Sequence, residues 1–148
     1  MVTSGDVSDL DRLLTIEAIK QLKARYFRYL DSKRFEDLMD VFTADAHVDT
    51  GYGVPTESNR DFVDSLIATV TEPSTVHHGH MPEIEVLGPD RARGIWAMFD
   101  YVDFEAKGDA PRNAFHGYGH YEEEYRREGD AWRISSMRLT RLRVDPIS

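Results

Sequence analysis

The apolar residues of this chain change their period once, and that change limits the folds open to it. Over residues 9–70 they recur every three or four positions; from Thr75 onward they alternate. In "DLDRLLTIEAIKQLKARYFRYLD" (Asp9–Asp31), Ala18, Ile19, Leu22, Tyr26, Tyr29 and Leu30 fall on one side of a helical wheel, with Lys20, Gln21, Arg25 and Arg28 opposite. Ser8 or Asp9 supplies an oxygen to cap the first free N–H groups. "RFEDLMDVF" (34–42) predicts a short second helix and "AHVDT" (46–50) a strand. "GYGVPTES" (51–58) reads as a loop, and "NRDFVDSLIATV" (Asn59–Val70) predicts a third helix capped by Ser58 or Asn59. Then come four alternating stretches: "VHHGHMPEIEVL", "RARGIWAMFDYVDFEA", "AFHGYGHYEEEYRR" and "AWRISSMRLTRLRV". They are separated by "GPD", "KGDAPRN" and "EGD". Helices first and long strands afterwards predict an α+β fold, with three N-terminal helices on one face of a curved antiparallel sheet. A chain of 148 residues has room for one core. It is expected over residues 9–148, with the first eight as a flexible tail.

The chain carries 18 basic and 27 acidic residues, a net charge of −9. That surface repels nucleic-acid phosphates and anionic lipid headgroups, so neither nucleic acid nor membrane is an expected partner. Arg126, Arg127, Arg133, Arg138, Arg141 and Arg143 crowd the last quarter, interleaved with Tyr125 and Trp132. On alternating strands they read as a solvated face rather than a nucleic-acid groove. With no cysteine, the chain has no disulfide, thiolate nucleophile or Cys-ligated metal, and it fits a cytoplasmic location. The stretch "MVTSGDVSDL" lacks the basic and apolar regions of a secretion signal. The last strand carries Met137, Leu139 and Arg141, expected to form a mixed outer face that drives homo-oligomer formation, most simply a dimer.

Three segments hold the residues that could do chemistry. The first is "STVHHGHMPEIEVLG", with His77, His78 and His80 within four positions. This spacing matches no zinc motif, and His116 and His120, four apart on a strand, stand about 13 Å from each other. No metal is therefore expected. If the pleat runs unbroken to Ile84 and Val86, His78 and His80 share their face and His77 does not. A bulge at Gly79 or Pro82 would reverse that, and periodicity leaves the choice open. The second segment is residues 91–106, where one face reads Ala92, Gly94, Trp96, Met98, Asp100, Val102, Phe104. Asp100 is the only charge in that row. It needs a partner such as an arginine, a solvent opening, or a pocket that raises its pKa for acid–base work. The third is the end of the first helix, where Tyr26 and Tyr29 precede Asp31, which either caps the next helix or faces the aromatic hydroxyls.

The segments "IEAIKQLKARYFRYLDSKRFEDLMDVFTADA", "HHGHMPEIEVLG", "ARGIWAMFDYV" and "GHYEEEYRREGDAWRISSM", in that order, resemble the SnoaL-like branch of the nuclear transport factor 2-like (NTF2-like) superfamily. The resemblance spans residues 10–144 and implies a cone, a bent antiparallel sheet closed by helices around a deep apolar pocket. Within the superfamily, the helix and "HxGHxPEI" segments are most similar to the bile-acid 7-alpha-dehydratases. Scytalone dehydratases and hexachlorocyclohexane dehydrochlorinases are similar in the same places. What this implies is an Asp–His dyad at Asp31 and His77, completed by Tyr26 and Asp100. It selects His77 and so requires the bulge. Loop 51–58 matches none of these enzymes closely, and ketosteroid isomerase fits the pattern less well.

The expected activity is a cofactor-independent β-elimination, with His77 as general base, Asp31 supporting the imidazolium, Tyr26 donating to the substrate oxygen and Asp100 assisting the leaving group. Tyr29, Trp96, Met98, His116 and Tyr118 are expected to line the site of an apolar, ring-shaped ligand of steroid, terpenoid or polyketide type. The alternatives are a non-catalytic binding module, or an isomerase or polyketide cyclase using the same pocket.

Overall fold

The computed structural model describes residues 6–148. The fold is α+β. Helix α1 (Asp9–Asp31) is followed by α2 (Phe35–Met39), strand β1 (Phe42–Asp49) and α3 (Asn59–Val70). Four long strands complete it: β2 (Ser74–Val86), β3 (Arg91–Phe104), β4 (Asn113–Glu128) and β5 (Ala131–Ile147). The sheet order is β1-β5-β4-β3-β2. Ser8 caps α1 and Ser58 caps α3, each accepting a hydrogen bond from the N–H three residues on. Of the expected tail, residues 1–5 lie outside the described residues. Among the described residues, no helix is long and apolar enough to cross a membrane.

Two expectations need correction. The sheet is mixed, because β1 runs parallel to β5 while the other pairs are antiparallel. The second helix ends at Met39 rather than Phe42. Val41 N–H still bonds back to Leu38, after which Phe42 extends into the core opposite Ile134. Phe42, 1 % exposed, packs its ring edge-on against Tyr26 and Phe62. Burial of that ring outweighs one further helical turn.

The core lies between the helices and the concave face of the sheet. From α1 it takes Ile19, Leu22, Tyr26 and Leu30, as the apolar stripe predicts; Ala18 and Tyr29 pack at its margin. Lys23 is fully buried on the same side, in an ion pair with Glu123 of β4, and its ammonium lies over the rings of Tyr26 and Tyr121. Tyr125 donates to the other oxygen of Glu123 and accepts from the Trp96 indole N–H, so each ionised group has partners. These side chains fill the centre of the cone, where the resemblance implied a deep apolar pocket.

The facing of the strands is set by bulges. In β2, His80 pairs with Ala97 but Glu83 pairs with Ile95, so β2 holds one extra residue there, and Met81 has φ 37. In β5, Ser135 is the extra residue between the pairs Tyr125–Ile134 and Glu124–Ser136. Trp132 and Ile134 face inward before it, and Met137 and Leu139 face inward after it. Met137 and Leu139 are therefore buried, not part of an outer face as an unbroken pleat predicts.

Candidate active site

Asp31 is the last residue of α1, and the chain leaves the helix through Lys33 at φ 59. Lys33 N–H bonds to Leu30 C=O and Arg34 N–H to Tyr29 C=O, the paired bonds of a Schellman ending, whose left-handed position is usually glycine. This ending directs Asp31 at β2. Its carboxylate accepts from the His77 backbone N–H (2.8 Å) and the Thr75 hydroxyl (3.1 Å), and lies 2.7 Å from His77 Nδ1. Lys33 Nζ donates to Thr75 (2.9 Å), and burial lowers the pKa of this ammonium against the opposing pull of Asp31. An ionised carboxylate can only accept, so Nδ1 carries the proton of the neutral ring and Nε2 keeps its lone pair. The His77 side chain is 11 % exposed and that of Asp31 23 %, so solutes can reach the pair.

Across the strand pairing from His77 is Asp100, whose Oδ2 lies 4.0 Å from His77 Nε2. Asp100 is 1 % exposed. Arg141 of β5 answers it with two parallel bonds, of 2.9 and 2.6 Å. Gly117 stands between them in the sheet. A Cβ there would lie 2.0 Å from an Arg141 nitrogen and 2.1 Å from Asp100 Oδ1, so any larger residue would displace the pair from this position. Arg141 Nε is buried without a hydrogen-bond partner, and the guanidinium lies between the rings of Tyr52 and Phe115, at 5.3 and 5.5 Å. The Tyr26 hydroxyl is hydrogen-bonded with that of Tyr121, and burial pushes both phenols well above their ordinary pKa, so both remain protonated donors. Among the described residues, no group of three or more His, Asp or Glu side chains is arranged to hold a metal ion.

A family model for the SnoaL-like domain matches residues 11–138. The chain belongs to the SnoaL-like family. A probable cyclase of Gibberella zeae is 26 % identical over 137 residues, covering 84 % of this chain and 89 % of the relative. Among solved structures, a type 2 hexachlorocyclohexane dehydrochlorinase superposes with a TM-score of 0.84 at 20 % identity, covering 95 % of this chain and 94 % of the other. A candidate scytalone dehydratase from Novosphingobium aromaticivorans gives 0.83 at 17 % identity, covering 95 % and 93 %. At these identities the structures establish the shared fold.

This SnoaL-like chain brings together Asp31, His77 and Asp100. Tyr26, Trp96 and Met98 also lie on the inner side, but within the packed core. Tyr29 sits on the flank of α1 between the guanidinium groups of Arg28 and Arg34. His116 and Tyr118 lie on the far side of the sheet from His77, beside Tyr101 and Phe99, so they do not line this site. The reason is the plain alternation of β4: Gly117 and Gly119 take the inward positions. Arg141, expected on the outer face, is the inward partner that Asp100 needs. The signal for it was "ISSM", where Ser135 can slip the pleat by one residue. Thr75 and Lys33 carried no sequence signal, because neither sits in an apolar or charged pattern.

Proposed function

We propose that the protein is a cofactor-independent lyase that removes a β-leaving group, most often water, from a largely apolar, ring-shaped molecule of the steroid, terpenoid or polyketide class. The single observation behind this reading is the 2.7 Å contact of Asp31 with His77 Nδ1, which leaves Nε2 as an available base. In this reading His77 Nε2 takes the proton from the carbon beside an electron-withdrawing group. The C–H electron pair forms the new C=C bond as the C–O bond breaks, and the departing oxygen takes the proton back from the His77 imidazolium and leaves as water. Asp31 steadies the imidazolium formed on the way. Tyr26 donates to the oxygen on which charge develops. Asp100 orients the leaving hydroxyl; held by Arg141, it serves as an acceptor. Tyr52 and Phe115 form apolar walls around Arg141 that suit ring faces. The four residues resemble the pattern of the bile-acid dehydratases, which supports the choice of elimination. The cyclase relative supports a second reading, in which the same proton abstraction leads to ring closure.

The test is a panel of fused-ring β-hydroxy ketones, with conjugated product followed by absorbance and exchange of the acidic C–H followed in D₂O. His77→Ala is expected to lose roughly 10²–10⁴-fold in turnover with binding retained. His78→Ala and His80→Ala should stay within a few-fold of the parent. Exchange without elimination would assign the isomerase or cyclase reading. Binding without exchange at any position would make this a binding module. An inactive His78→Ala beside an active His77→Ala would move the base to another ring.

A further inference from the structure

Lys23 stands on the buried side of α1 with Ile19, Leu22, Tyr26 and Leu30, where the helical period calls for an apolar side chain. A lysine is almost never fully buried unless it is paired, and Glu123 of β4 is the partner here. Burial works against the ammonium charge and Glu123 favours it. The ammonium also lies 3.8 Å from Met137 Sδ and sits over three rings. Their centroids are 3.6 Å away for Tyr121, 4.0 Å for Tyr26 and 4.9 Å for Phe27. The three rings meet one another edge-on or tilted, at 5.3, 5.9 and 6.0 Å between centroids. This cluster borders the candidate site. Burial first, and then the charges of Glu123, Asp31 and Asp100, keep the Tyr26 phenol protonated, so its hydroxyl lies within electrostatic reach of both site carboxylates. Phe27 fills the space in front of Gly79, where a Cβ would stand 2.8 Å from its ring, and Gly79 is two residues from His77 on β2.

We propose that Lys23 is a positioning residue: its ammonium clamps the rings of Tyr26 and Tyr121 so that the Tyr26 hydroxyl is held toward the substrate oxygen. What that hydroxyl does rests on the lyase reading above; how it is held rests on the ring geometry alone. A buried ion pair adds little to stability compared with apolar groups of the same volume. What it adds here is direction. A desolvated ammonium is drawn to the faces of aromatic rings, and the contact fixes the plane of each ring it covers. A phenol oxygen lies on the axis of its ring, so a fixed ring fixes the place of the hydroxyl. Tyr121 shares a hydroxyl bond with Tyr26, and one clamp therefore aligns both phenols. The clamp is itself held from behind. Tyr125 donates to the second oxygen of Glu123 and accepts from the Trp96 indole N–H, so the carboxylate that anchors Lys23 has a fixed position.

The test is the paired replacement of Lys23→Met with Glu123→Gln. It leaves no unpaired charge in the core, nearly keeps the volumes and retains an acceptor for Tyr125. Circular dichroism is expected to match the parent, with Tm equal or higher. With a fused-ring β-hydroxy ketone that the parent converts, kcat should fall roughly 10–100-fold while KM stays within about two-fold. In a Tyr26→Phe background the same replacement should cost less than about two-fold, because the hydroxyl it aligns is gone. A merely structural role would lower turnover equally in both backgrounds. Two readouts need no substrate. In ¹³C-tyrosine NMR the Cζ signal of Tyr26, assigned by its loss in Tyr26→Phe, should shift in the paired variant while that of Tyr118, on the outer face, stays. In the parent itself the two edges of the Tyr26 ring should give separate signals, as a slowly flipping ring does. An unchanged kcat, an equal loss in both backgrounds, an unmoved Tyr26 signal or a freely flipping Tyr26 ring in the parent would each overturn the proposal. A parent that converts no ketone of the panel, with its Tyr26 signal shifted in the paired variant, would remove the lyase reading and leave the clamp standing.

Discussion

Lys33 adopts φ 59, where an L-residue costs about 1–2 kcal/mol relative to an ordinary conformation and glycine costs far less. The side chain gives the reason for keeping a lysine there. Its ammonium holds Thr75, and Thr75 in turn donates to Asp31, the partner of His77. Local strain is thereby coupled to the alignment of the dyad. Lys33→Gly is expected to raise stability by about 0.5–1 kcal/mol in urea unfolding and to lower turnover of the dehydration substrate several-fold. Parallel losses in both, or unchanged turnover, would separate Lys33 from the site. Gly117 carries the reverse logic: its missing side chain is the space occupied by the Asp100–Arg141 pair.

Among the elements, β2 decides what the chain can do. Its inward residues before and after the bulge lie on opposite parities, His77 on one side and Ile84 and Val86 on the other. The single extra residue lets one strand serve both the dyad and the core. Deleting Met81 would restore an unbroken pleat. Ile84 and Val86 are held by apolar burial, so the segment carrying the histidines must flip, placing His78 inward and His77 in solvent. The deletion is expected to abolish turnover while far-UV circular dichroism stays close to the parent. Met81→Gly, which keeps the bulge and suits its positive φ, should retain activity. An active deletion variant would show that the register does not select the base.

Over the whole molecule, the packed centre of the cone governs the response to alkali. Burial raises the pKa of Tyr26, Tyr121 and Tyr125 above the ordinary 10.0. Above pH 10.0 the unfolded chain releases these protons while the folded chain keeps them, so the unfolded state binds fewer protons and stability falls as pH rises. Each tyrosine contributes up to about 1.4 kcal/mol per pH unit in that range. Lys23 acts with the opposite sign. Burial lowers its pKa from 10.5, so between its folded value and 10.5 the unfolded state binds the extra proton and stability rises with pH. Beyond 10.5 only the tyrosine effect remains. The expected outcome is a steep loss of thermal stability above about pH 10.5, with phenolate absorbance appearing together with unfolding. Phenolate signal from all seven tyrosines in a still-folded protein would contradict a packed core.

The sequence by itself determined the element order, the extents of α1 and α3, two candidate caps for each and the α+β class, because periodicity and capping are local properties of the backbone; the structure chose Ser8 and Ser58. It singled out Asp31, Asp100 and the histidine cluster, since a charge in an apolar row and three clustered imidazoles are visible without coordinates. A family resemblance was needed to choose His77, because Gly79 and Pro82 permit a bulge without requiring one. What only the tertiary structure decided were the relations between strands: the parallel β1, the slip at Ser135 that turns Arg141 toward Asp100, and the outward facing of His116 and Tyr118. It also decided the burial of Lys23 against Glu123, 100 residues away. Each depends on what stands opposite a residue across the sheet, and a one-residue slip changes that partner while leaving the local pattern almost untouched.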